Sequence, residues 1–206
     1  MSRTATDDLA YVRSLAEAGA QAPLLGGRFL VWWGALVTAA YIGHYLIISG
    51  IGGVGPEMLG ILWTVFIVLG LGGYFALSRA FPRDKPGQSS EGNRVSATVW
   101  MASGFVLGSF FAGVTVKSFM SGAASSGFIW SIPLVLGVYG ISQLVSGEIA
   151  KVSWLKIAGY VAIAFVGLTV LIIDMAELYL AAAFAAALSV LLPGILMLRQ
   201  EPSGVV

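Results

Sequence analysis

His44 is the single histidine of the chain, and it stands between Tyr41 and Tyr45 in a run that is otherwise apolar. Its ordinary pKa lies near ~6.5, so it could gate or sense protons. A histidine four residues from the end of an apolar run also serves as an interfacial residue hydrogen-bonded to a neighbour. Asp174 and Glu177 form the sequence D-M-A-E. Paired carboxylates could coordinate a cation or carry out acid–base chemistry. The same spacing is that of a capping box at a helix start, where negative charge also suits the helix dipole. Pro56 and Glu57 read alike, as a first-turn proline with an acid beside it.

With Lys117, these residues make one constellation. His44, Glu57, Lys117, Asp174 and Glu177 all map to the same ends of the apolar runs, where they could line a shallow outward-facing vestibule. Metal binding asks for defined spacings, such as two ligands four apart on one helix. None is present, so neither metal nor cofactor is expected. The chain has no cysteine, which removes disulfides and thiolate chemistry.

At the other level of the chain, Gln143 is an amide deep in an apolar run and must find a partner. Ser142, Tyr160 and Thr169 are the candidates, which makes Ser142, Gln143 and Tyr160 a set of intramembrane polar contacts. Glu148 and Lys151 read as a solvated ion pair three residues apart. A catalytic assembly would need two reactive groups at one depth, and the ionisable clusters lie at run ends. No enzymatic activity is expected.

The elements that position these residues follow from composition. Of 206 residues 58% are hydrophobic and 10% charged, against roughly 25% charged in a soluble domain. A helix crosses hydrocarbon with about 20 apolar residues, and six runs qualify: 29–48, 58–77, 95–116, 128–145, 154–173 and 178–198. The fold class is therefore an all-α integral membrane protein, a six-transmembrane-helix bundle over residues 28–199. Residues 1–27 and 200–206 form the tails. Asp7, Asp8, Arg13 and Glu17 rule a signal peptide out of the first 27 residues.

Threading six helices places ten of the eleven Lys and Arg residues on one side, with Lys117 alone on the other. Basic loops stay in the cytoplasm, so both termini are expected there. Trp32, Trp33, Trp100 and Trp154 then fall at the cytoplasmic interface, and Trp63 and Trp130 toward the outer one. The compactness of the loops suits a bacterial inner membrane. A net charge of +1 gives no reason to expect nucleic acid.

The run ILWTVFIVLGLGG at 61–73 resembles FIWSIPLVLGVYG at 128–140. At a constant offset of 67, Trp63 pairs with Trp130, Gly70 with Gly137, Gly73 with Gly140 and Trp33 with Trp100. Units of two helices keep their orientation, so the reading is three helical hairpins in parallel repeat. Such repeats can surround a pathway or simply duplicate a packing unit. Gly104, Gly108 and Ala112 give the third run a small-residue stripe. It is expected to pack within the bundle, the other option being contact between protomers of a homo-oligomer. Pro133 and Pro193 should bend the fourth and sixth helices.

Before the first run, residues 6–20 have helical periodicity. Leu9, Val12, Leu15 and Ala16 gather on one side, opposite Arg13, Ser14 and Glu17. Helices that lie on anionic lipid are rich in Lys and Arg, and this one carries three acids and one Arg. A short cytoplasmic amphipathic helix presenting Leu9, Val12, Leu15 and Ala16 to a soluble protein partner is the expectation. A second reading has it cover the bundle end. The functional expectation is a non-enzymatic accessory or signalling component acting through that partner. The alternative is a small transporter or channel for a neutral or apolar solute, with Gln143, Ser142, Tyr139, Ser103 and Ser109 lining its path.

Overall fold

Backbone amides have no water to bond in hydrocarbon, so each apolar run coils into a helix that satisfies them internally. The computed structural model describes residues 8–9, 22–80, 85 and 87–201. Its described residues form six helices long and apolar enough to cross a membrane. They are α1 (Gly27–Ile48), α2 (Met58–Ala80), α3 (Glu91–Ser121), α4 (Ser126–Ile149), α5 (Ser153–Leu171) and α6 (Leu178–Gln200). The six helices expected from hydropathy are present. At 31 residues, α3 is about 46 Å long and exceeds the roughly 30 Å hydrocarbon layer.

Local signals set the ends. Ser90 caps α3 by accepting from the Asn93 amide at 3.3 Å, with Glu91 in the first turn. Gly122, at φ +66°, ends the helix in the left-handed conformation that favours glycine. Ser125 accepts from the Gly127 amide and opens α4 with a tight 3₁₀ turn over Ser126–Trp130. The capping box expected at Asp174 and Glu177 does not form. α6 starts later, at Leu178, and no side chain caps it. Turn carbonyls do that work, Met175 accepting from Leu178 and Ala176 from Tyr179, each at 3.2 Å.

One end of the bundle holds the start of α1 and the close of α6, and is called the termini end; the other is the far end. α6 is the hub and packs against α1, α4 and α5. The most extensive contact is between α1 and α6, followed by that between α4 and α5. Among the described residues, α2 touches no helix but α1, and α3 none but α4.

Glycines let the central helices meet backbone to backbone. In α1 and α6, a methyl at Gly34 would stand 2.6 Å from the Leu191 nitrogen, and one at Gly194 would stand 2.6 Å from that of Val31. Between α4 and α5, Gly140 faces Gly159 and Ile163, and Gly147 faces Leu155 and Lys156. Ala182, Ala183, Ala185 and Ala186 of α6 then pack with Val37, Tyr41, Ile132 and Leu136 into one core. Leu30, Val135, Tyr139, Leu155, Val190 and Met197 form a second core nearer the termini end.

The third helix departs from expectation. Gly104 and Gly108 have no neighbouring atom within 4 Å of a built methyl, so the stripe faces away from α4 rather than into the bundle. Residues paired by the offset of 67 share one feature. Trp33 packs on Gly70 and Phe66 within its own hairpin, and Trp100 on Tyr139 within its own. They differ in another, since α1 lies at the hub and α3 at the edge.

Candidate functional site

The interior site grows from a proline. Pro193 lies inside α6 and has no amide hydrogen, so the carbonyl four residues earlier loses its ordinary helical donor. That carbonyl belongs to Ser189. The backbone relaxes around it into a π-helical segment, Ala187–Leu191, the kind of bulge that relieves a misfit in an α-helix. Gln143 of α4 supplies the missing donor, its Nε2 bonding to the Ser189 carbonyl at 2.6 Å. Both residues are fully buried. Among the described residues the Oε1 of Gln143 accepts no hydrogen bond, and the Ser189 hydroxyl turns back to the Ala185 carbonyl at 2.7 Å.

The partners proposed for Gln143 from sequence lie elsewhere. Ser142 donates to the Val138 carbonyl at 2.8 Å and shares a 2.7 Å hydroxyl contact with Ser103 of α3. Thr169 bonds within its own helix, to the carbonyls of Phe165 and Val166. Tyr160 is 64% exposed and points out of the bundle, because its position on α5 lies on the face away from α4. Ser109 is exposed as well, while Ser96 and Ser146 meet at 2.9 Å. A ladder of hydroxyl pairs thus ties α3 to α4.

A second polar centre sits at the termini end. The Glu201 side chain is only 3% exposed. Its Oε1 accepts from the amides of Gly26 and Gly27, at 3.1 and 2.9 Å, at the start of α1. Its Oε2 meets the Lys85 Nζ at 2.5 Å and the Arg28 Nη2 at 3.7 Å. A carboxylate at a helix N-terminus satisfies free amides and the positive dipole end together. Beside it, Asn93 accepts from the Leu25 amide at 2.7 Å and donates to the carbonyls of Pro23 and Gly87. The chain entering α1 is therefore pinned to α3, to the α2–α3 connection and to the close of α6. From sequence Glu201 falls in the C-terminal tail, 200–206, and is not singled out; the basic Arg28 and Lys85 on the same side of the membrane are the signal for it. Glu148 also pairs differently, with Lys156 at 3.1 Å. Lys151 is drawn off into the turn at φ +56°.

A shallow cleft of about 230 Å³ adjoins this centre, lined by Ala22, Pro23, Leu24, Ala150, Val152, Trp154, Leu155, Met197 and Gln200. Its walls are mostly apolar.

The third centre is aromatic and lies in the far half. His44 Nδ1 accepts from the Trp63 indole Nε1 at 3.1 Å. The imidazole stacks on Tyr179 with ring centroids 3.7 Å apart and planes 13° apart. Tyr41 meets the edges of both Trp63 and Tyr179. α1, α2 and α6 are thereby joined through side chains. Of the five residues assigned to an outer vestibule, His44 is half-buried in this cluster. Glu57, Asp174 and Glu177 are exposed on the far-end connections and Lys117 is exposed in the last turns of α3, and no hydrogen bond or ion pair among the described residues links them. No group of three potential metal ligands comes together among the described residues. Of the apolar tail face, Leu9 is 70% exposed; Val12, Leu15 and Ala16 lie outside the described residues.

No protein-family model matches this chain, and neither a curated protein nor a solved structure matches it.

Proposed function

We infer that this chain is a non-enzymatic, multi-pass component of a bacterial inner membrane, with both termini in the cytoplasm. It acts as an accessory or signalling protein through a soluble partner. The partner contacts the amphipathic segment at Leu9, Val12, Leu15 and Ala16. The observation that carries this reading is the clamp at the base of that segment. Asn93 holds Pro23 and Leu25, and Glu201 holds Gly26 and Gly27. A load placed on the tail is delivered at once to α1, α3 and α6. The exposed Leu9 supports the same reading.

The partition of ten basic residues to one side of the six threaded runs, with tryptophans toward both interfaces, supports the orientation. The three-hairpin repeat enters as a duplicated packing unit, supported in the first two pairs, where Trp33 and Trp100 each pack on the partner helix. The alternative, passage of a neutral or apolar solute, predicts flux along the Ser103–Ser142 ladder. Those hydroxyls bond each other and the backbone, which favours a structural role.

The test is crosslinking and affinity capture from native membranes, comparing the full chain, a form lacking residues 2–22, and Glu201→Ala. A soluble protein held by the full chain, lost with the tail and weakened by Glu201→Ala is the expected result. A capture profile identical in all three would refute the reading and move attention to solute flux in liposomes.

A further inference from the structure

The attachment of α2 is divided into two unlike halves. Toward the termini end, Phe29 packs on Tyr74 at 5.6 Å between ring centroids. Trp32 and Trp33 lie directly over Gly73 and Gly70, so closely that a methyl on either glycine would strike an indole. Among the described residues, this half is an apolar contact with no titratable group in it apart from the Tyr74 phenol. In the far half, Leu62 packs on Gly43, and Trp63 inserts among Tyr41, His44 and Phe66. The Trp63–His44 bond is the one side-chain hydrogen bond from α2 to another helix among the described residues.

That bond has a fixed polarity. An indole nitrogen only donates, so His44 Nδ1 must present a lone pair, and the ring must be neutral with its proton on Nε2. A second proton would go to Nδ1 and set two donors face to face. The stack on Tyr179 survives such a change, because a cationic ring is still attracted to an aromatic face. Protonation therefore separates His44 from α2 while leaving it on α6. The other titratable groups around the ring are Tyr41 and Tyr45 on α1 and Tyr179 on α6. Glu57 precedes α2, and Asp174 and Glu177 precede α6, all three exposed. Lys and Arg on these three helices lie toward the termini end, at Arg28, Arg79 and Arg199.

We propose that His44 is a proton-operated latch for the far half of α2. With Nδ1 free, Trp63 is held and α2 lies along α1. When Nδ1 is protonated, the far half of α2 swings out about the Trp32/Trp33–Gly73/Gly70 contact, and the Trp63 indole is released toward lipid. The device thus makes the bundle shape responsive to acidity at the far side of the membrane.

The single histidine and the absence of cysteine make the test direct. The full chain, labelled with ¹⁵N-histidine in lipid nanodiscs, is titrated from pH 8 to 4.5. The expected resonance at pH 8 is that of the Nε2–H tautomer. Spin labels at Met58→Cys and Met175→Cys report the far end, and a pair at Phe75→Cys and Ile157→Cys serves as the control. The far-end distance is expected to lengthen by roughly 5 Å, about half a helix spacing, with the midpoint of the histidine titration. The control pair should hold its distance. His44→Gln keeps an acceptor for the indole but does not titrate, and should hold the short distance at both pH values. An Nδ1–H tautomer at pH 8 would overturn the proposal. So would a histidine still neutral at pH 4.5, a distance unmoved by its protonation, or an unchanged pH response in His44→Gln.

Discussion

Replacing Gln143 with leucine should destabilise the bundle by more than the loss of an ordinary intramembrane hydrogen bond, and the excess should depend on Pro193. Hydrogen bonds between membrane helices average about 0.6 kcal/mol and reach about 1.7, since a broken bond commonly finds another partner. The Ser189 carbonyl has no such recourse to its usual donor, because the residue four ahead is Pro193. An unsatisfied buried acceptor costs about 1–3 kcal/mol. Leucine also removes the unpartnered Oε1 of Gln143, which offsets part of that cost. The net expectation is about 1.5 kcal/mol, roughly a tenfold shift in the unfolding equilibrium.

Proline supplies the control. In a Pro193→Ala background the amide at 193 returns and can bond the Ser189 carbonyl, so Gln143→Leu should cost little. A double-mutant cycle isolates the coupling. Reversible denaturation in mixed micelles, followed by helix content, gives the four free energies. A coupling of about 1 kcal/mol is expected, with the sign that makes the double variant more stable than additivity predicts. Equal costs for Gln143→Leu in both backgrounds would show that Gln143 does not stand in for the missing amide.

Other consequences follow from the same contacts. Gly34→Val should force α1 and α6 apart and cost at least about 2 kcal/mol, whereas Gly104→Ala, open on all sides, should be neutral or slightly stabilising; thermal melting in detergent compares the two. Glu201→Ala should cost about 2 kcal/mol, since charge-assisted hydrogen bonds contribute about 1.5–3, and Glu201→Gln should lose less because an acceptor for Gly26 and Gly27 remains. Hydrogen exchange at the Gly27–Leu30 amides should rise in the same order. Single cysteines at Gly53, Ser121 and Met175 should react with an impermeant thiol reagent added to intact cells, and one at Gln88 should not; a split within the first set would refute the threading.

What could be read from the sequence was whatever depends on one helix at a time. A run of about 20 apolar residues must become a helix wherever its neighbours lie, so six spans and their ends were legible to within a few residues. Contacts between helices were legible only where a residue declares an obligation. Gln143 declared one, as a buried amide with nothing beside it, but the search for its partner ran through side chains. The partner is a backbone carbonyl, and the mark of it is indirect: Pro193 frees the carbonyl of Ser189, and Gln143 is the one Asn or Gln inside the six apolar runs, 29–48, 58–77, 95–116, 128–145, 154–173 and 178–198. The two anomalies answer each other across 46 residues.

Glu201 shows the same logic at the membrane surface. Alone, an acid past the last span looks solvated. Set beside Arg28, Lys85 and the uncapped amides at Gly26 and Gly27, it is the group that completes them. Small-residue stripes carry no comparable obligation. Gly104 and Gly108 fit close packing yet require nothing, and in α3 they face outward, whereas Gly34 and Gly194, without the four-residue spacing, mark the tightest approach in the hub. In a lipid-solvated bundle, apolar pattern tells which segments cross, and unmet polar valence tells which of them meet. His44 belongs to the second class. Its lone pair is answered by the Trp63 indole, and of these obligations it is the one that a single proton can cancel.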